Sequence, residues 1–139
     1  YTYNIEVSVS DTTITPNTGL VATVELLNQD TSGLQDATLT YELTSNGQTI
    51  WTSTEDLSPL SSTIQMESIP TNELTVGSYT ITATLTYGYD QIIEDTTSFT
   101  IIESEEVMDS IPWIWVTILI VTAIIAAVGF AFMINKRPR

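Results

Sequence analysis

Residues 78–89 read SYTITATLTYGY and decide the fold class of this chain. Apolar or aromatic residues occupy every second position from Tyr79 to Tyr87, and threonines fill the positions between them. Alternation with a period of two residues is typical of a β-strand that buries one face. Threonine is β-branched and suits the solvated face of such a strand. The stretch therefore predicts a strand with one face in a protein core.

The same alternation extends over most of residues 1–102 and predicts about seven short strands. Asn46-Gly47 predicts a tight hairpin turn between two of them. We expect residues 88–95 to form a turn or bulge, and the strand at 62–68 to point Ile64 and Met66 inward. The other predicted strands are 1–10, 20–28, 37–44, 49–54 and 97–102. The predicted core includes Val24, Leu39, Tyr41, Ile81, Leu85 and Phe99. Short strands with one apolar face each predict an all-β, Ig-like antiparallel sandwich.

The string LTVGSY at residues 74–79 carries a resemblance to a known group of domains. A Leu, a Gly and then a Tyr at the start of the penultimate strand resemble the E–F corner of immunoglobulin-like domains. Ile81 stands where antibody domains have their second Cys. The wider pattern resembles the CARDB and fibronectin-III-type modules of prokaryotic surface proteins, bacterial and archaeal. That resemblance implies adhesion, spacing or protein contact, and no chemistry. Trp51 is either an exposed binding anchor or a cover for the sandwich edge.

The 24 residues from Ile111 to Ile134 predict one C-terminal transmembrane helix, because none of them is charged. In helical form they rise about 36 Å, enough to cross a hydrocarbon core of about 30 Å with some tilt. Trp113 and Trp115 are expected at one membrane interface, where indole rings are favoured. Membrane lipid is therefore an expected partner.

The charges predict the orientation of this helix. Every basic residue of the chain, namely Lys136, Arg137 and Arg139, follows the helix, whereas all 17 acidic residues precede it. Basic residues are enriched on the cytoplasmic side. We therefore expect a single-pass protein of the cell membrane with residues 1–110 outside and the C-terminus in the cytoplasm. A surface without bases tolerates high salt, which screens repulsion between its carboxylates, or low pH, which neutralises them. We therefore expect a prokaryotic cell-surface protein, with an archaeal source as the narrower expectation.

These patterns predict four segments. They are an extracytoplasmic Ig-like sandwich at 1–102, an acidic juxtamembrane linker at 103–110, a transmembrane helix at 111–134 and a basic cytoplasmic tail at 135–139.

Composition argues against catalysis and nucleic-acid binding. The chain has no Cys and no His, which removes thiolate chemistry, the commonest general base and the commonest transition-metal ligand. No basic patch is available for nucleic acid outside the membrane. We expect no enzyme activity and no cofactor. Weak calcium binding remains an alternative, at Asp30 with Asp36 or at Asp90 with Glu94 and Asp95.

Small residues suggest a packing face on the helix. Ala123, Ala127 and Ala131 recur every four residues, and Gly129 is expected beside them as a fourth packing residue. Small residues at this spacing let helices approach closely. We expect packing against other membrane-protein subunits or a second copy of this chain. The favoured function is an accessory or structural subunit of a membrane or envelope assembly, whose ectodomain makes protein contacts. The alternative is a ligand- or cation-binding module presented to a neighbouring transporter or enzyme.

Overall fold

The computed structural model describes residues 2–29, 35–105 and 113–135. The chain divides into two compact units, residues 1–104 and 105–139. The described part of the first unit holds eight strands, and that of the second holds one helix, α1 (Trp113–Asn135). The strands are β1 (Tyr3–Val9), β2 (Thr13–Ile14), β3 (Leu20–Asn28), β4 (Ala37–Ser45), β5 (Gln48–Asp56), β6 (Thr63–Ile69), β7 (Gly77–Tyr87) and β8 (Gln91–Ile101).

The strands form two sheets that face each other, as expected for an Ig-like sandwich. One sheet has three strands in the order β1-β3-β6, and the other has five in the order β2-β8-β7-β4-β5. The described pairings are antiparallel except β2 with β8, which are parallel. The chain thus crosses from one sheet to the other between β1 and β2, because β1 pairs with β3 and β2 pairs with β8. The predicted fold class is confirmed.

The core lies between the two sheets and contains the six residues named for it from the sequence, although the two β6 residues predicted to point inward lie outside it. The alternation of β7 is confirmed, with Tyr79 through Tyr87 burying every second side chain. β3 begins and ends where predicted. The six predicted core residues are all fully or almost fully buried: Val24, Leu39, Tyr41, Ile81, Leu85 and Phe99.

A side-chain hydrogen bond closes the corner before β7. The Tyr79 hydroxyl donates to the backbone carbonyl oxygen of Thr75, 2.7 Å away. The Tyr79 ring stacks on Phe99 of β8, with ring centroids 5.3 Å apart. The tyrosine therefore holds the chain where it enters the five-stranded sheet.

Two tight turns set the registers of the five-stranded sheet. Asn46 and Gly47 both have positive φ angles of 51° and 75°, as a type I′ hairpin requires. Residues 88–90 form a three-residue turn in which Gly88 and Asp90 have positive φ. Because the turn is so short, β8 already begins at Gln91. The expectation of a turn or bulge through residue 95 is therefore wrong beyond Asp90.

The predicted facing of β6 is wrong. Ile64 and Met66 point outward and are 60% and 71% exposed, respectively. The register explains this, because β6 pairs with β3 so that Ile69 lies opposite buried Leu20. With Ile69 inward, the two-residue period sends Ile64 and Met66 to the other face.

α1 is a continuous helix whose described side chains, from Ile114 to Ile134, are all exposed. It is long and apolar enough to cross a membrane. The Thr117 hydroxyl donates to the carbonyl oxygen of Ile114 at 2.8 Å, and the Thr122 hydroxyl to that of Ile118 at 2.9 Å. The helix therefore satisfies both of its hydroxyl donors internally.

Candidate functional site

The first candidate surface is one end of the sandwich, which we call the loop end. It comprises the start of β4, the end of β5 and the turn between β7 and β8. Backbone hydrogen bonds join these segments: Leu57 N–H donates to the Ala37 oxygen at 2.9 Å, and Gly88 N–H to the Asp36 oxygen at 3.2 Å. The loop end is therefore a connected surface built from segments distant in sequence.

Two shallow cavities lie at the loop end. One has a volume of about 450 Å³ and is lined by Gln35, Tyr87, Gly88, Tyr89 and Gln91. The other has a volume of about 490 Å³, and its lining includes Asp36, Asp56 and Ser58. The Tyr89 side chain is 98% exposed beside the first cavity. An exposed aromatic ring next to a depression is a feature of protein-contact surfaces.

The Asp56 carboxylate is held in place beside the second cavity. Its Oδ1 accepts a hydrogen bond from the backbone N–H of Ser58 at 2.9 Å. Hydrogen bonds from the Ser58 hydroxyl and then from this N–H lower the pKa of Asp56. The Ser58 hydroxyl oxygen also accepts a hydrogen bond from the Ala37 N–H at 3.0 Å. Asp56 is therefore an oriented anionic group facing solvent.

Among the described residues, the structure does not bring the predicted calcium ligands Asp90, Glu94 and Asp95 together. Asp90 lies in the turn, and Glu94 and Asp95 are neighbours on β8, so their side chains point to opposite faces. Oδ2 of Asp95 accepts a hydrogen bond from the Val7 N–H at 2.8 Å. Asp30 lies outside the described residues. Within the described ranges, no three acidic side chains are placed to hold a metal ion.

The second candidate surface is the side of the sandwich where β5 and β6 lie, which we call the open side. β5 is the edge of one sheet and β6 the edge of the other. β1 packs near β8 at the opposite side. Half-buried Trp51 and Ser53 of β5 face the interior here, as do Thr63, Gln65 and Glu67 of β6. Trp51 packs against the core cluster, so it covers the sandwich edge.

A buried phenol lies beneath the open side. Tyr41 of β4 is 0% exposed, and its hydroxyl has no hydrogen-bond partner among the described residues. Burial, followed by the negative charges of Glu55 and Glu67, raises the pKa of Tyr41 above its usual range. The hydroxyl is therefore protonated and close enough to both carboxylates to feel their charge.

Some of the interface and packing residues predicted for the helix lie among the described residues, and others do not. Trp115 is exposed on α1, whereas the side chain of Trp113 lies outside the described residues, as do Lys136, Arg137 and Arg139. Ala123, Ala127 and Ala131 follow one stripe of the helix, because four residues turn it by about 400°. Gly129 follows Ala127 by two residues, or about 200°, and lies on the other side of the helix.

The loop-end cavities and the outward facing of the apolar pair Ile64 and Met66 were not predicted from the sequence. One feature of the sequence could have indicated the outward facing of this pair. Ile69 is also apolar and is out of phase with Ile64 and Met66, so the segment allows two facings. The cavities had no such signal, since their lining residues come from three separate segments.

Comparison of the sequence with known protein families and with curated proteins finds no match. Among solved structures, the chain is similar to the CARDB domain of the PF1109 protein from Pyrococcus furiosus, determined in complex with di-metal ions. The TM-score is 0.54 and the sequence identity 15%, over 73% of this chain and 88% of the other. The expected resemblance to CARDB domains is therefore confirmed at the level of the fold.

Proposed function

We propose that this chain is a non-catalytic, single-pass protein of the cell membrane, whose Ig-like ectodomain (1–102) contacts other proteins. Helix α1 carries the proposal, because its described apolar side chains are exposed all round and none is charged. A helix of this kind is stable when lipid or other apolar surface covers it. Trp113 and Trp115 then lie at the outer interface, and Lys136, Arg137 and Arg139 at the cytoplasmic one.

Protein contact is the role that the ectodomain supports best. Ig-like sandwiches present loops at their ends, and here the loop end carries two depressions and the exposed ring of Tyr89. The sequence offers no Cys or His for chemistry. Within the class of contact proteins, we favour an accessory or structural subunit of a membrane or envelope assembly. The acidic segment 103–110 then links the sandwich to its anchor.

Purification of the full chain from native membranes tests this function. The chain should stay in the membrane fraction through alkaline extraction, and after mild detergent it should co-elute with another protein in a fixed ratio. Tyr89→Ser tests the loop end and should reduce co-elution with the other protein. Thr84→Ser, on the outer face of β7, is the control and should leave co-elution unchanged. A chain that alkali extracts, or that elutes alone from every mild detergent, would contradict the proposal.

Cation binding is a second candidate function, and two observations favour it. The similar CARDB domain was solved with di-metal ions. In this chain, Asp36 and Asp56 line the same cavity, and carboxylate oxygens are ligands that Ca²⁺ prefers. Calcium should then raise the melting temperature of the full chain in detergent, and Asp36→Asn with Asp56→Asn should abolish the rise. An equal rise in the double variant would mean that calcium only screens the acidic surface.

A further inference from the structure

β6 offers an unpaired strand edge on the open side of the sandwich. The direction of its backbone groups follows from the ladder. Val7 N–H donates to Asp95 and so points away from β3, which makes Val7–Val24 a non-hydrogen-bonded pair. Val24 therefore directs its N–H and C=O to β6, where Gln65 is its partner. Because this direction alternates, the N–H and C=O groups of Ile64, Met66 and Ser68 point to the free edge.

The two faces of β6 have unusual polarity for a sandwich strand. The outward face carries exposed Ile64 and Met66, whereas the inward face carries half-buried Thr63, Gln65 and Glu67. A strand added at this edge would place alternate side chains on these two faces. One set would lie beside Ile64 and Met66, and the other would enter the space between β5 and β6.

The space between β5 and β6 suits a positively charged group. Glu67 enters it from β6, and Glu55 lies on the same side from β5. No Lys or Arg precedes Lys136, so no base of the ectodomain neutralises these carboxylates. The Tyr41 hydroxyl, fully buried and without a partner among the described residues, belongs to β4 and feels the charge of both. A buried polar group without a partner is costly, and the donor of an incoming basic side chain would satisfy it.

We infer that the free edge of β6 pairs with an extended segment of a basic partner protein, which points Lys or Arg inward to Glu67 and Glu55 and apolar side chains outward to Ile64 and Met66. The inference rests on the proposed protein-contact function and names the surface and the chemistry of the partner. Charge disfavours a second copy of this chain as the occupant, because residues 1–110 contain 17 acidic residues and no base.

The probe is a synthetic peptide of seven residues, the length of β6, in which Val and Lys alternate. Its affinity for the full chain in detergent is measured by fluorescence anisotropy of a dye on the peptide. The matched control has the same side chains with every backbone nitrogen methylated, so it keeps its charge but neither of its edges can form a ladder. We expect methylation to weaken binding by about tenfold or more, as loss of one or two hydrogen bonds predicts.

Two pairs of protein variants locate the site. Met66→Pro removes an N–H that points to the free edge and spares the ladder with β3, so it should abolish the effect of methylation, whereas Met66→Ala should retain it. Glu67→Gln should weaken binding of the Val–Lys peptide more than Glu94→Gln does, because Glu94 lies on the exposed face of β8, away from β6.

Equal binding of the methylated and unmethylated peptides would overturn the inference, because it would show charge attraction without strand pairing. Binding unchanged by Met66→Pro would overturn it as well. If either result were found while a partner still co-elutes with the full chain, the β6 edge would be excluded and the proposed function would stand.

Discussion

The backbone N–H of Val7 donates a hydrogen bond to Oδ2 of Asp95, 2.8 Å away, and so joins the three-stranded sheet to the five-stranded sheet. Val7 lies on β1, the edge strand beside β8, and its N–H points away from β3. The Asp95 carboxylate of β8 thus accepts a hydrogen bond from the Val7 N–H, which an additional strand at the β1 edge would otherwise need. This bond protects the β1 edge, while β6 has no comparable cover among the described residues.

Replacement of Asp95 should destabilise the sandwich. Asp95→Ala leaves the Val7 N–H without its acceptor in a half-buried position, so we expect a loss of about 1–3 kcal/mol in the free energy of unfolding. Asp95→Asn keeps one carbonyl acceptor and should restore part of the loss. Glu94→Ala, on the exposed face of β8, should change stability by less than about 0.5 kcal/mol. Equal effects of the two alanine variants in urea unfolding would show that the bond adds nothing.

Loss of the Tyr79 hydroxyl should weaken the corner before β7. Tyr79→Phe keeps the ring on Phe99 and removes only the bond to the Thr75 oxygen, so we expect a cost of about 1 kcal/mol. Tyr89→Phe is the control. Because Tyr89 is almost fully exposed, this variant should be as stable as the wild type. Thermal unfolding followed by circular dichroism compares the two. If Tyr79→Phe were as stable as Tyr89→Phe, the hydrogen bond from Tyr79 to Thr75 would contribute nothing to the stability of the sandwich.

The facing of β7 can be tested with two neighbouring residues. Leu85 is fully buried, and Leu85→Ala should cost about 2–5 kcal/mol because it leaves a cavity in the core. Thr84 points to the opposite face, and Thr84→Ala should cost less than about 1 kcal/mol. Similar midpoints in chemical denaturation would contradict the register of this strand.

The strands that could be predicted from sequence are those with apolar residues in one phase only. β7 has Thr at nearly every outward position, so its facing is determined locally. β6 has apolar residues in both phases, and only its pairing of Ile69 with Leu20 selects between them. β2 has two residues, too few for any periodicity to appear. The facing of a strand is therefore predictable from sequence where local pattern and pairing agree, and is not predictable where pairing with a neighbouring strand decides it.

The candidate sites were less predictable than the fold. The acids at Asp90, Glu94 and Asp95 are close in sequence, but strand alternation separates the last two. The loop-end cavities and the open side combine residues from distant segments, so no short motif marks them. The stripe on α1 was predictable because helix geometry is regular, and the same regularity places Gly129 away from it.

A packing role for the alanine stripe of α1 predicts an asymmetric response to substitution. Helices in lipid gain from contact only where their surfaces fit closely, and a bulky side chain at the contact prevents this. Ala127→Ile should therefore release the chain from its partner, or from a second copy, while insertion and the ectodomain fold are retained. Ile125→Leu, of equal bulk and outside the stripe, should co-purify as the wild type does. If both variants co-purify equally well, α1 acts as an anchor alone.

We propose that the sandwich lies outside the cell on a single spanning helix, and protease added to intact cells probes this topology. The full chain carries an epitope at each end, and protease is added to cells whose outer envelope is permeable to it. We predict that the epitope before residue 1 is lost while the epitope after Arg139 stays protected, because basic residues beside a spanning helix favour the cytoplasmic side. Protection of the first epitope until the membrane is dissolved by detergent would contradict the account.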